Sequence, residues 1–142
     1  MREILFRGKR VGYSDWITGS LVIRPTRLSC LAVIVPFPKS KDDDVEVVDV
    51  DTSTVGQYTG LTDKSGKKIF EGDILKEDDV LHNGETQIKG RIGTCSFEKG
   101  CWVILFKDTW DFLQTNIKAC SVIGNIHDNP ELLKKEISYT DK

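Results

Sequence analysis

Carboxylates close enough to share a task occur twice in this chain, at Asp49-Val50-Asp51 and at Glu77-Asp78-Asp79. Paired acids can hold a divalent cation or divide acid and base duties. On a strand Asp49 and Asp51 would share a face, and a metal-dependent hydrolase would have to be built there. The simpler expectation is amphipathic alternation, with Val48 and Val50 inward and the acids in water. No histidine or third acid stands at useful spacing, and neither cluster matches a calcium-binding loop. The thiols Cys30, Cys95, Cys101 and Cys120 form no C-x2-C pair, and His82 and His127 lie at no ligand-like offset from them. A G-x-S-x-G nucleophile turn, a phosphate-binding G-x-x-x-x-G-K-[ST] loop and a G-x-G-x-x-G fingerprint are all missing. The sequence therefore points away from an enzyme and calls for no metal and no cofactor, although a thiol could still meet a histidine in the fold.

Two other groups of residues suit binding. In the first, Arg7, Lys9, Arg10, Arg24 and Arg27 are interleaved with Tyr13 and Trp16. Cations with aromatics could contact phosphates and stack bases. The plainer alternative places Trp16 in a core and uses the bases to guard an exposed strand. In the second, Trp102-Val103-Ile104-Leu105-Phe106 is followed by Trp110 and Phe112. Both faces of that strand are apolar, so one packs the core and the other must meet another layer, the terminal helix or another subunit. Internal packing is the expectation there, ahead of a subunit contact.

The elements that position these residues are short. Period-two patterns and short apolar runs predict strands at Glu3 to Arg7, Trp16 to Ile23, Leu28 to Val35, Val45 to Val50, Asp73 to Lys76, Gln87 to Phe97, Cys101 to Phe106 and Val122 to Asn125. Turn signals separate them, among them Thr62-Asp63-Lys64-Ser65-Gly66 and His82-Asn83-Gly84. Residues 35 to 44, with two prolines and a charge run, read as an exposed connector. A Glu98-Lys99-Gly100 turn would set Phe97 opposite Cys101, too far from Cys95 for a disulfide, and a two-residue turn would put the two thiols on opposite faces. One helix is predicted after Pro130, with Asp128 or Asn129 capping it, Glu131 and Lys134-Lys135 matching its dipole, and Leu132, Leu133 and Ile137 docking it. Tyr139 to Lys142 would form a tail.

Composition fits this reading. The chain has 142 residues, 39% hydrophobic and 30% charged, with a net charge of −2. That suits one compact domain, or two small halves sharing a core, and is too short for a two-domain enzyme. The near-neutral total hides a basic leading section, residues 1 to 41 at +6, followed by a strip from Asp42 to Asp51 at −6. Mixed surface charge of this kind serves solubility, and it could also limit a polyanion-binding face. No apolar run reaches signal-peptide or membrane-spanning length, so the expected location is cytoplasmic, with reduced thiols and no membrane.

Three ordered segments resemble a known family. Thr54-Val55-Gly56-Gln57-Tyr58-Thr59-Gly60-Leu61-Thr62-Asp63-Lys64-Ser65-Gly66-Lys67-Lys68-Ile69-Phe70-Glu71-Gly72-Asp73-Ile74-Leu75 is similar to the signature block of the YopX family, small proteins encoded by phages and prophages of bacteria. Arg2-Glu3-Ile4-Leu5-Phe6-Arg7-Gly8, with Trp16 and Gly19-Ser20-Leu21, resembles its opening, and Val122-Ile123-Gly124-Asn125-Ile126-His127-Asp128-Asn129-Pro130-Glu131-Leu132-Leu133 its closing motif. The resemblance implies a mainly β fold. Residues 1–53 would form an N-terminal β portion, 54–126 an SH3-like small barrel and 127–142 a short C-terminal helix with its tail. It supplies no reaction and no catalytic residue. The expectation is a phage or prophage accessory protein in the bacterial host cell that binds a host or phage protein, or itself, without catalysis. Nucleic-acid binding through the basic leading section is the alternative.

Overall fold

The computed structural model describes residues 1–38, 40–42 and 44–134. The chain divides into two compact units, Met1–Tyr58 and Thr59–Lys142. Unit 1 contains β1 (Phe6–Lys9), β2 (Trp16–Pro25), β3 (Cys30–Pro36) and β4 (Val48–Val50), then a 3-10 turn over Thr52–Thr54 and the first half of β5 (Gly56–Thr62). The strands run antiparallel in the order β4-β3-β2-β1-β5. Alternation sends Ala32, Ile34 and Val50 inward, where Ile17, Leu21 and Val55 pack on them. The sheet curls until β4 meets the end of β1. Arg10 bridges Val50, Val11 N–H donates to the Asp49 carbonyl (3.1 Å), and Asp51 N–H donates to the Lys9 carbonyl (2.8 Å). The curl leaves no room at Gly8, where a Cβ would stand 2.9 Å from Val50 Cβ.

The acidic strip follows the alternation expected of it. Val50 is buried while Asp49 and Asp51 face solvent. Asp51 caps the 3-10 turn, its Oδ1 accepting from Ser53 N–H (3.0 Å) and from the Ser53 hydroxyl (2.8 Å). Two boundaries differ from expectation. β1 starts at Phe6, not Glu3, because its ladder with β2 runs from Phe6 opposite Gly19 to Lys9 opposite Trp16. β4 begins only at Val48, and Val45 and Val47 stay exposed.

Unit 2 continues β5 and adds β6 (Lys68–Phe70), β7 (Asp73–Glu77), β8 (Val80–His82), β9 (Glu85–Ile88), β10 (Ile92–Glu98), β11 (Cys101–Leu105), β12 (Trp110–Phe112), α1 (Leu113–Asn116), β13 (Cys120–Asn125) and α2 (Glu131–Lys134). The mainly β class is as expected. Its five-stranded sheet, β12-β11-β10-β7-β13, is open among the described residues and not closed into a barrel. Ile69, Leu75, Cys95, Ile104, Phe106, Leu113 and Cys120 form the core.

Several details correct the sequence reading. The strand expected from Gln87 to Phe97 is broken at Lys89–Arg91, and its first part pairs with β8 as a separate hairpin. The break is fixed by the Gly90 N–H donating to Asp79 Oδ1 (2.8 Å). The β10–β11 turn has two central residues, Lys99 and Gly100, both at positive φ (51° and 82°), the conformation that matches strand twist. Phe97 therefore faces Trp102, and Glu98 faces Cys101. Cys95 is buried on one face and Cys101 exposed on the other, and all four cysteines are free thiols. Pro130 does precede a terminal helix, with Leu132 and Leu133 half-buried. The turn before it is held by Asn125, whose Oδ1 accepts from His127 N–H (3.0 Å) and Asp128 N–H (2.9 Å). The calls on Lys135, Ile137 and Tyr139 to Lys142 fall outside the described residues.

Candidate binding site

The basic leading section separates in space. Arg7 and Lys9 lie on one strand face with Trp16, the Arg7 guanidinium 4.7 Å and the Lys9 ammonium 5.9 Å from its ring centroid. Arg10 lies 3.7 Å over the Tyr13 ring and bonds Asp15 (3.1 Å). Arg24 and Arg27 stand at the opposite end of the β2–β3 hairpin, about 26 Å from Trp16 at ~3.3 Å per residue. Arg7 and Lys9 thus gather at Trp16 and Arg10 at Tyr13, two neighbouring contacts on alternate residues of the strand, and Arg24 and Arg27 join neither. Unit 1 as a whole carries eight bases and eight acids, so these contacts are local, not a charged face.

Unit 2 holds a different kind of surface. On β11, Trp102 and Ile104 point to the core while Cys101, Val103 and Leu105 point away from it. β12 pairs Trp110 with Leu105 and Phe112 with Val103, so these four share that outer face. Leu105 is 38%, Phe112 45% and Trp110 52% exposed. Trp110 and Phe112 meet edge to face, with centroids 5.2 Å apart. Together with Cys101 and Val103 they line a groove of about 400 Å³, with Glu98 and Lys99 of the hairpin turn at one end. β12 is also a sheet edge. Apolar side chains thus lie beside a strand edge, which monomeric proteins usually cover or charge. Internal packing is found on this face at Val103, which is only 3% exposed, but not at Leu105, Trp110 and Phe112. The sequence signal, Trp102 to Phe106 with Trp110 and Phe112, was visible; what it could not give is that β12 ends the sheet.

The groove rests on a rigid frame. Arg91 donates through Nε to Glu77 Oε2 (2.8 Å) and through one terminal nitrogen to Glu77 Oε1 (2.6 Å) and Asp111 Oδ2 (2.8 Å). Asn116 Nδ2 also donates to Asp111 Oδ2 (2.8 Å). These bonds hold the Asp111 carboxyl below its ordinary range, Arg91 contributing most and then Asn116. Asp111 lies between Trp110 and Phe112, so the network fixes the strand that presents both rings. Among the described residues no group of three or more His, Cys, Asp or Glu side chains could hold a metal ion. Asp51 caps the turn already described, and Asp49 is exposed. No helix of the described residues is long and apolar enough to cross a membrane.

Comparison with known proteins agrees with the sequence motifs. The family model described as YopX protein matches residues 6–134. Among solved structures, the crystal structure of protein EF1440 from Enterococcus faecalis is similar, with 26% identity and a TM-score of 0.56 over 94% of this chain and 99% of that one. No curated protein matches. With the signature and closing motifs inside the matched span, which begins within the opening motif, the chain belongs to the YopX family.

Proposed function

We propose that this chain is a non-catalytic phage or prophage accessory protein of the bacterial cell that binds another polypeptide through the β11–β12 groove. The observation that carries this reading is the exposure of Trp110 and Phe112 on the edge strand β12, with Leu105 exposed beside them on β11. An extended segment added at such an edge gains main-chain bonds and places side chains into the groove. Large aromatic residues in a concave site are the usual energetic centres of recognition. The frame around them has no feature suited to a reaction, since its charged groups are paired to one another and turned to holding the strand.

The test is capture by three forms of the tagged chain from the native host: wild type, Trp110→Lys with Phe112→Lys, and Arg7→Glu with Arg10→Glu. Polypeptides retained by wild type and by the front-section variant but lost from the groove variant support the reading. Equal retention by the groove variant overturns it. A second reading, single-stranded nucleic-acid binding, is favoured by Arg7 and Lys9 over Trp16 and by Arg10 over Tyr13. It requires binding that strengthens at low salt and vanishes with the front-section variant.

A further inference from the structure

Unit 2 carries a second apolar element without cover, the β8–β9 hairpin. Every residue of both strands is exposed, with Val80 at 55%, Leu81 at 63% and Ile88 at 65%. A two-stranded hairpin standing alone is marginal in water and gains its stability from a further strand or a packed face. Its turn, Asn83-Gly84 at positive φ (54° and 80°), is nonetheless well formed. The finger is anchored at its base by the Asp79–Gly90 bond, and one of its faces carries the cross-strand pairs Val80–Ile88 and His82–Glu85, with Leu81 on the other.

The geometry points to a second copy of this chain as the occupant of the β11–β12 groove, which takes up the β8–β9 finger of that copy. This rests on the groove being a recognition site, as proposed above, and names its partner. Size agrees. The finger strands are three and four residues long, about 7–10 Å from first to last residue at ~3.4 Å per residue, against about 14 Å for β11. Chemistry agrees at both ends. Val80 and Ile88, paired on one face, match Leu105, Trp110 and Phe112. At the tip stand His82 and Glu85, which form a cross-strand pair, and the turn end of the groove carries Glu98 and Lys99. Laid with its tip toward that turn, the finger sets Glu85 against Lys99 and the His82 imidazole N–H against Glu98, two complementary contacts that also fix direction. Each chain has one finger and one groove. A two-fold arrangement would exchange them reciprocally, and any other would propagate head to tail.

Light scattering after size exclusion, from micromolar to hundreds of micromolar protein, reads the outcome directly. Wild type should rise above the 16.0 kDa of one chain, and a finger variant, Val80→Glu with Ile88→Lys, should stay at that mass. The groove variant, Trp110→Lys with Phe112→Lys, should stay there too. Mixing the two should restore association, because the intact finger of one enters the intact groove of the other. Exposed charge swaps give a check that leaves the fold alone. Glu85→Lys should weaken association roughly tenfold, and adding Lys99→Glu should recover it. Wild type that remains a single chain at every concentration, variants that associate as wild type does, or a mixture that stays dissociated would each overturn the proposal. If wild type stays a single chain while its groove is still required for capturing another polypeptide, the finger assignment fails and the groove reading stands.

Discussion

Replacing Asp63 by alanine should destabilise unit 2 by about 3–4 kcal/mol, the sum of lost acceptors for three backbone donors. The side chain is only 7% exposed. Its Oδ1 accepts from the N–H groups of Ser65 (2.8 Å) and Lys67 (2.9 Å), and its Oδ2 accepts from that of Val122 (2.9 Å). One carboxylate therefore closes the turn after β5 and ties it to β13, 59 residues away in sequence. An abandoned buried donor costs about 1–3 kcal/mol; water can reach the exposed turn residues Ser65 and Lys67, so Val122 dominates the loss. Asp63→Asn keeps one acceptor but can turn an amide N–H toward Val122, so its cost should be about 2 kcal/mol. Burial pushes the Asp63 carboxyl up, yet the donors from Val122, Lys67 and Ser65 and the Lys67 charge outweigh it and hold it below the ordinary range. With the folded value below the unfolded one, the unfolded chain binds this proton more tightly. The carboxylate's contribution is complete above about pH 5 and is lost as pH falls through the folded value. Urea unfolding followed by circular dichroism should show the gap between wild type and Asp63→Asn narrowing from about pH 6 to about pH 3. An alanine variant within about 0.5 kcal/mol of wild type, the range of an ordinary surface change, would refute the reasoning. So would a gap that does not narrow in acid.

Gly8→Ala should cost unit 1 about 1–3 kcal/mol, since its Cβ would meet Val50 Cβ at 2.9 Å. Combining it with Val50→Ala should recover part of that loss in denaturation midpoints, and strict additivity would contradict the contact. Arg91→Met should lower stability by about 1–2 kcal/mol, the figure being reduced because the Arg91 side chain is 40% exposed even though Glu77 is only 18% exposed. A midpoint unchanged from wild type would mean the network does not hold β12. In the folded chain an alkylating reagent should reach Cys30 and Cys101 and spare Cys95 and Cys120. Burial, with the charges of Glu77 and Asp78, pushes the Cys120 thiol up to about 11, so little of it is thiolate near neutrality. Peptide mapping that finds Cys120 modified as fast as Cys30 would contradict the packing.

Strands built on a short apolar run were legible in the sequence. β2, β7, β11 and β13 fall within a few residues of their expected ends because consecutive apolar residues stand between turn residues. β5, β6, β8 and β12 were not legible. β6, β8 and β12 have three residues each, and β5 has glycine at two of its seven positions; β8 and β12 take their place from hydrogen bonds to a partner strand, so their own residues signal little. The Gln87–Phe97 run reads as one strand since nothing local announces that Gly90 bonds Asp79. The Lys99-Gly100 turn was placed correctly but one residue too long, and that residue reversed the face of every partner in the register. Of the front-section residues, Arg7 and Lys9 meet Trp16 and Arg10 meets Tyr13, while Arg24 and Arg27 do neither, because strand length, invisible to composition, carries them to the far end of a hairpin. The groove residues were noticed for being apolar on both faces. Their exposure follows from sheet order, which no local pattern encodes.

Cys101 gives the most direct measurement of whether the groove is a recognition surface, because it lines that groove while Cys30, in unit 1, supplies an internal reference. The rates of alkylation of the two thiols would be compared in the purified chain diluted to nanomolar concentration and in its isolated assembly with whatever polypeptide it captures. The account predicts that Cys101 is slowed at least about tenfold in the assembly, as a desolvated interface core requires, while Cys30 keeps its rate. A Cys101 rate unchanged by assembly would contradict it.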